Sequence, residues 1–401
     1  MNSQPDQFDL VKNRLTLHAT RLARIREHMV LADIPALLIV EPNSILYATG
    51  ASNMQVWSAR TPARYLLIVT DHPAVLFDFK GAEHLARNLP TIGHIGSAEG
   101  LDMVSSGGDP RGAAERFAMQ IEAHIRALDP TIDKIGIDRF PLYATDALRR
   151  RGFHLVDSDE VFTPARKIKL PIEIAYLEEA MRRVDLATER LENFVRPGMT
   201  ESEAWGEFHY ILMAKQGQYV STRLFQSGPN TFPYFQECGD RILEPGDLLC
   251  LDTDAVGFEG YCVDYSRTFV CGDVKATDEQ RRLYANAREQ LETNAALLAP
   301  GIEFRELAEK AWKIPEEFQA SRYYCIGHGL GMAGEFPNIP HAAPGQPYPL
   351  PGVIEPGMIL CMESYVGTAK SDQGVKLEDQ YLILEDRVER MSNYRFDDRL
   401  G

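Results

Sequence analysis

Six side chains in the C-terminal part of the chain, Asp252, Asp254, Asp264, His328, Glu363 and Glu378, have the types and the order that divalent metal binding needs. Carboxylate oxygen and imidazole nitrogen suit Mn²⁺, Fe²⁺, Co²⁺ or Zn²⁺, and no cysteine falls on the pattern to draw the site toward structural zinc. A carboxylate cluster with one imidazole is what a pair of such ions requires, and a metal pair polarises substrates and activates water. Any one of these acidic residues taken alone reads as a solvated surface group. The ordered set predicts an enzyme with two divalent ions, Fe, Mn, Zn or Co.

The elements that must hold these residues are legible in the hydrophobic pattern. Residues 220–271 turn strand-like, with Gly246-Asp247 as a turn before Leu248-Leu-Cys-Leu-Asp252, and strands are predicted again at 358–363 and 377–384. The ligands are thus expected mainly from strand ends of one sheet. Helices are predicted near 277–298 and 303–312, and Thr200 with Glu203 makes a capping box. The N-terminal half reads as α/β. A helix over 11–33, with Leu15, Leu22, Ile25 and Met29 on one face, precedes short apolar runs at 36–40, 65–70, 74–78 and 134–138 and a helix around 111–127. Strands alternating with helices predict a mixed sheet covered by helices. The boundary is placed at Ala165-Arg-Lys-Ile-Lys-Leu-Pro171, where Pro171 opens a helix running to Phe194, giving domains 1–165 and 166–401.

Composition removes several function classes. At 401 residues with 44% hydrophobic and 25% charged content, the chain reads as globular with two domains, and no apolar run is long enough to span a bilayer. A net charge of -16 argues against nucleic acid or an anionic membrane as partner. No glycine fingerprint follows the first strand, so no dinucleotide site is expected. The polar, acidic start of the chain has no leader pattern, which with six unpaired-looking cysteines predicts a cytoplasmic protein with reduced core thiols.

Taken in order, Leu251-Asp-Thr-Asp254, Gly260-Tyr-Cys-Val-Asp264-Tyr-Ser-Arg-Thr268, Gly327-His-Gly-Leu-Gly331, Glu355-Pro-Gly-Met-Ile-Leu-Cys-Met-Glu363 and Gly374-Val-Lys-Leu-Glu-Asp379 resemble the metal strands of the pita-bread family. That family includes methionine and Xaa-Pro aminopeptidases, prolidase and creatinase. The resemblance covers nearly the whole chain and implies an α/β (α+β) fold, with a pita-bread catalytic domain behind a smaller creatinase-type domain. It also implies a homodimer acting on a small molecule. Two departures matter. Family peptidases carry a histidine where this chain has Tyr234, and another seven residues beyond the metal histidine, where it has Glu335. Those imbalances, and the Asp252-Thr-Asp254 pair, make the chain most similar to the dimethylsulfoniopropionate lyase branch. Against that branch stands Gly334, at the place of its acidic base, with Glu335 one residue later.

The lyase resemblance implies that metal stabilises the charge that develops as the substrate's α-proton leaves, with Glu335 first and Tyr323 second as the base, and Tyr234 in the catalytic group. A cationic sulfonium head would favour aromatic faces. Trp57, Phe232, Tyr324 and Phe336 are the substrate-binding candidates, although each alone reads as packing. The peptidase resemblance instead implies a metal-activated water with Glu363 as proton acceptor. A creatinase-like C–N hydrolase is the third reading, and a scaffold that has lost catalysis is disfavoured because every ligand is present. His341 reads as a loop histidine, His209 as structural, and Arg267 as a residue that orients carboxylates.

Overall fold

The computed structural model describes residues 7–343 and 345–401, so Met1–Asp6 of the segment read for a leader lies outside the described residues. The chain divides into two compact units, Met1–Arg166 and Lys167–Gly401. Among the described residues no helix is long and apolar enough to cross a membrane.

The N-terminal unit is built on six strands, β1 (Ala36–Ile39), β2 (Tyr65–Val69), β3 (Ala74–Asp78), β4 (Ile92–Ser97), β5 (Lys134–Ile137) and β6 (His154–Asp157). They form one mixed sheet in the order β4-β3-β2-β1-β5-β6. β1, β2, β3 and β5 are the apolar runs of the sequence. β4 and β6 carry no such run and form the sheet edges, where half-exposed residues suffice. The first helix, Gln7–Leu31, buries Leu22, Ile25 and Met29 of the expected face together with Leu17 and Arg21, whereas Leu15 is exposed. Arg21 enters the buried stripe because its guanidinium stacks over the Tyr47 ring at 5.0 Å.

In the C-terminal unit the helix Pro171–Phe194 begins and ends at the residues that the sequence marks. Thr200 Oγ1 accepts from the Glu203 amide at 3.1 Å, while Glu203 Oε2 accepts from the Thr200 amide at 2.8 Å, so the capping box forms as read. Eleven strands follow: β7 (Tyr219–Val220), β8 (Phe225–Ser227), β9 (Leu248–Asp252), β10 (Ala255–Val256), β11 (Cys262–Val263), β12 (Ser266–Val270), β13 (Cys325–Leu330), β14 (Gly334–Pro340), β15 (Ile359–Thr368), β16 (Gln373–Ile383) and β17 (Val388–Arg390). They make a five-stranded sheet β14-β13-β15-β16-β17 and two three-stranded sheets, β12-β9-β8 and β11-β10-β7.

The long hairpin of β15 and β16 explains how one sheet serves both core and site. Side chains alternate across a strand. Leu360, Met362 and Val366 of β15 and Val375 and Leu377 of β16 enter an apolar cluster with Leu283, Ala287 and Leu291 of the helix Asp278–Ala295. Trimming one of these leucines to alanine should cost ~2–5 kcal/mol. The intervening residues, Cys361 and Glu363 on β15 and Lys376 and Glu378 on β16, face the other way. Glu363 and Glu378 are directly paired across the hairpin.

Candidate functional site

The site collects residues from the five-stranded sheet and from the β12-β9-β8 sheet of the C-terminal unit, which corrects the expectation of one sheet. Asp252 closes β9, and Asp264 lies between β11 and β12. His328, Glu363 and Glu378 sit within β13, β15 and β16. β12 joins the two groups, because Ser266 pairs with Asp252 and its hydroxyl lies 2.9 Å from both Asp252 Oδ1 and Glu378 Oε2. His328 needs close strand neighbours. A Cβ at Gly327 would lie 2.5 Å from the Cys361 carbonyl oxygen, and one at Gly329 would lie 2.3 Å from that of Phe336. The register of β13 on β14 shifts on both sides of His328, an irregularity of the kind that re-aims a side chain.

Two overlapping groups of side chains that could hold metal result. Asp264, His328, Cys361 and Glu378 bring one donor atom each to within 4.8 Å of one another, as do Asp252, Asp254 and Asp264. His328 Nε2 stands 3.3 Å from Glu363 Oε1 and 3.7 Å from both Asp264 Oδ2 and Glu378 Oε1. Donors about 2.0–2.2 Å from a common ion are separated by roughly 3–3.5 Å, so this spacing is close to that of a coordination shell. Asp264 Oδ1 and Glu378 Oε1 are buried and accept no hydrogen bond among the described residues. Orphaned carboxylate oxygens of this kind fit a cation. Cys361 corrects the reading that no thiol joins the pattern. It lies two residues before Glu363, hence on the same face, and burial followed by the Glu378 and Asp264 charges holds it as a thiol.

Dense negative charge sets the protonation. Burial, then Asp252, pushes Asp254 up to about 7, and burial, then Glu363, pushes Glu378 up to about 8. Asp264 rises for the same reasons, burial first and Glu378 next. Burial opposes charge on Glu363 as well, yet Lys376 and His328 together hold it below the usual carboxylate range. His328 is raised to about 9, because the contacts with Glu363 and Glu378 outweigh burial. Asp254 has a left-handed backbone (φ 36°), and Thr222 Oγ1 donates to its Oδ2 at 2.6 Å.

Sequence reasoning missed Lys376. Its fully buried ammonium donates to Glu363 Oε2 at 2.6 Å, Glu378 Oε2 at 2.8 Å and Ser266 Oγ at 2.8 Å, with Asp252 Oδ2 at 3.6 Å. Its position two residues before Glu378 on one strand was the available signal. Arg267 acts as read. Its Nη1 donates to the Ser266 and Glu378 carbonyls at 2.8 Å, and its Nη2 to Asp379.

An aromatic wall borders the cluster. Tyr234 donates its hydroxyl to Asp252 Oδ2. Its ring centroid lies 4.7 Å from Phe235, 5.6 Å from Tyr323 and 5.1 Å from Tyr365. Tyr324 adjoins Tyr323 at 4.8 Å and is 56% exposed, and Phe232 packs on the same group. Burial, then Asp252, raises Tyr234, and burial, then Glu363, raises Tyr323, so both phenols keep their protons at neutral pH. Phe336 is corrected from substrate contact to core. Its ring meets Phe304 edge-on at 5.9 Å, because it follows Glu335 on β14 and faces the opposite side. Glu335 Oε2 accepts from Lys169 at 2.8 Å and Oε1 from the Met332 amide at 2.9 Å. Trp57 belongs to the N-terminal unit, where its ring meets Phe79 at 5.1 Å.

His341 and His209 make packing and backbone contacts. His341 Nε2 lies 3.1 Å from the Tyr323 carbonyl oxygen, and burial with Arg322 lowers its basicity. His209 packs edge-on to Trp205. All six cysteines are buried and free.

Residues 175–385 match the model of metallopeptidase family M24. The chain is 33% identical to the dimethylsulfoniopropionate lyase DddP of Roseovarius nubinhibens over 95% of its own length and 86% of that protein. The same values hold for dimethylsulfoniopropionate lyase DddP of Roseobacter denitrificans. Among solved structures, the prolidase from Thermococcus sibiricus superposes with a TM-score of 0.76 at 21% identity, covering 94% of this chain and 98% of that one. Dipeptidase PepE from Mycobacterium ulcerans gives 0.73 at 19% identity, covering 96% and 97%. The architecture is therefore the α/β pita-bread fold of prolidases.

Proposed function

The chain belongs to metallopeptidase family M24 and is a metal-dependent enzyme, and from that premise we propose that it is a lyase for dimethylsulfoniopropionate or a close sulfonium acid. The observation that carries this reading is the aromatic wall beside the carboxylate cluster. Lys376 Nζ lies 4.8 Å from the Tyr323 ring centroid and 5.5 Å from that of Tyr234, so these faces already receive a cation. A sulfonium head is a weakly hydrated cation that such faces would hold, while its carboxylate turns toward the ligand cluster. The 33% identity to two dimethylsulfoniopropionate lyases supports the same substrate class.

Divalent ions held by Asp252, Asp254, Asp264, His328, Glu363 and Glu378 would supply Lewis-acid polarisation of the substrate carboxylate, which acidifies the α C–H bond. The two ligand groups sharing Asp264 support a count of two ions. Elimination then needs one proton acceptor. A base takes the α-proton, the C–H pair forms the double bond of acrylate, and the C–S pair leaves with neutral dimethyl sulfide. That leaving group needs no proton. The phenols of Tyr234 and Tyr323 remain protonated, which makes them donors and leaves Glu335 as the acceptor. Lys169, 2.8 Å from its Oε2, would hold this carboxylate in place. Phe232 and Tyr324 would extend the aromatic wall beside the sulfonium.

A second reading is Xaa-Pro peptide cleavage. It is favoured by the family match and by the Tyr234 hydroxyl, which could protonate a departing amine. The deciding experiment is headspace detection of dimethyl sulfide from metal-reconstituted protein given dimethylsulfoniopropionate, run beside a panel of Xaa-Pro dipeptides. Sulfide release that Asp264→Ala abolishes and Glu335→Gln depresses is expected. Peptide cleavage without sulfide would overturn the lyase reading.

A further inference from the structure

A lysine inside a metal-type carboxylate cluster must do something to the metal. Lys376 is not a surface cation that reaches inward: it arises from the middle of β16 and its side chain has no exposure. All three of its protons are used, on Glu363 Oε2, Glu378 Oε2 and Ser266 Oγ. The pattern of use is one-sided. Glu363 and Glu378 each turn one oxygen, Oε1, toward His328 and give the other, Oε2, to the lysine. On the His328 side Glu378 Oε1 stays without a hydrogen bond among the described residues, and Asp264 turns its Oδ2 to the same imidazole at 3.7 Å. On the Asp252 side the corresponding oxygens are already taken, with the ammonium 3.6 Å from Asp252 Oδ2.

We propose that Lys376 is an internal placeholder cation, which competes with metal for the Asp252 side of the cluster and leaves the His328 side open. Five carboxylates converge here, and an ammonium among them neutralises part of their mutual repulsion whenever metal is scarce. The same contacts weaken an ion that needs Glu378 Oε2 and Asp252 Oδ2, because a buried ammonium that loses its partners has no water to turn to. The two ions therefore bind in order, the first beside His328 and the second only as Lys376 yields its acceptors. This inference rests on the ligand set given above and not on the substrate, so its failure would leave the sulfide assay untouched.

The test is calorimetric titration of chelator-treated protein with Mn²⁺ or Co²⁺, paired with metal analysis after desalting. Wild type should show two unequal classes of site, and Lys376→Met should tighten the weaker class at least tenfold. The metal-free Lys376→Met protein should also gain more in melting temperature on metal addition than wild type does. A single class of two equivalent ions in wild type, or weaker binding in the Met variant, overturns the proposal. Should Lys376→Met fail to fold without metal, the wild-type isotherm still decides between ordered and equivalent sites. Lys376→Arg, which keeps the charge, should then retain the unequal pattern, and loss of it counts against the idea.

Discussion

The Arg267 guanidinium donates to Asp379 Oδ1 at 2.7 Å, and each of these two side chains is only 2% exposed. The same guanidinium holds the Ser266 and Glu378 carbonyls, so it ties β12 to β16 and with it the Asp252 and Asp264 side of the cluster to Glu378. Arg390 adds a second cation to Asp379 at 3.0 Å. Removing Arg267 would leave Asp379 with only the partly exposed Arg390, in a site closed to water.

Arg267→Met should therefore cost ~3–5 kcal/mol of stability, the range for breaking a buried pair from one side. Denaturant unfolding monitored by circular dichroism would measure it. An effect within about 0.5 kcal/mol of wild type, the scale of a surface substitution, would refute a structural role for the pair.

Tyr234→Phe keeps the ring in the wall and removes only the hydroxyl that Asp252 accepts. Loss of one outer contact to a metal-binding carboxylate typically lowers metal affinity or activity by ~10–100-fold. Melting temperature should stay near that of wild type while retained metal and turnover both fall. Full metal retention with unchanged turnover would show that the Tyr234–Asp252 contact is incidental.

Metal uptake should release protons and strengthen as pH rises. Asp254, Glu378 and His328 titrate near 7, 8 and 9 in the metal-free fold, so at neutral pH an ion must displace protons from them. The stability sign follows from the same groups. Their folded values are raised, so the folded chain holds more protons than the unfolded one between about 4 and 9. That contribution is full below about 4 and is lost progressively as pH rises to about 9; Glu363, held low, works in the opposite sense. Chelated protein should lose melting temperature across this window relative to metal-loaded protein. Calorimetry in buffers of different ionisation enthalpy would count the protons, and a count of zero would contradict the picture.

The sequence alone singled out the six side chains that the structure gathers into one cluster, since their residue types, order and flanking glycines are local properties. It also determined the helix Pro171–Phe194 and its Thr200 neighbour, because proline at a first helical turn and a capping box act within a few residues. The apolar strands β1, β2, β3 and β5 were legible for the same reason. β4 and β6 were not, because edge strands gain their backbone partners from elsewhere in the chain and need no apolar run.

Tertiary structure decided what each side chain meets. Lys376 and Cys361 stand two residues from Glu378 and Glu363 in sequence, yet only the pairing of β15 with β16 and the approach of β12 turn them into cluster members. Glu335 and Phe336 are neighbours in sequence, but strand alternation and the β13–β14 register sent one to Lys169 and the other to the core beside Phe304. The protonation of the carboxylates was equally hidden, because it depends on how many charges share one dry volume, and that number exists only once the strands have come together.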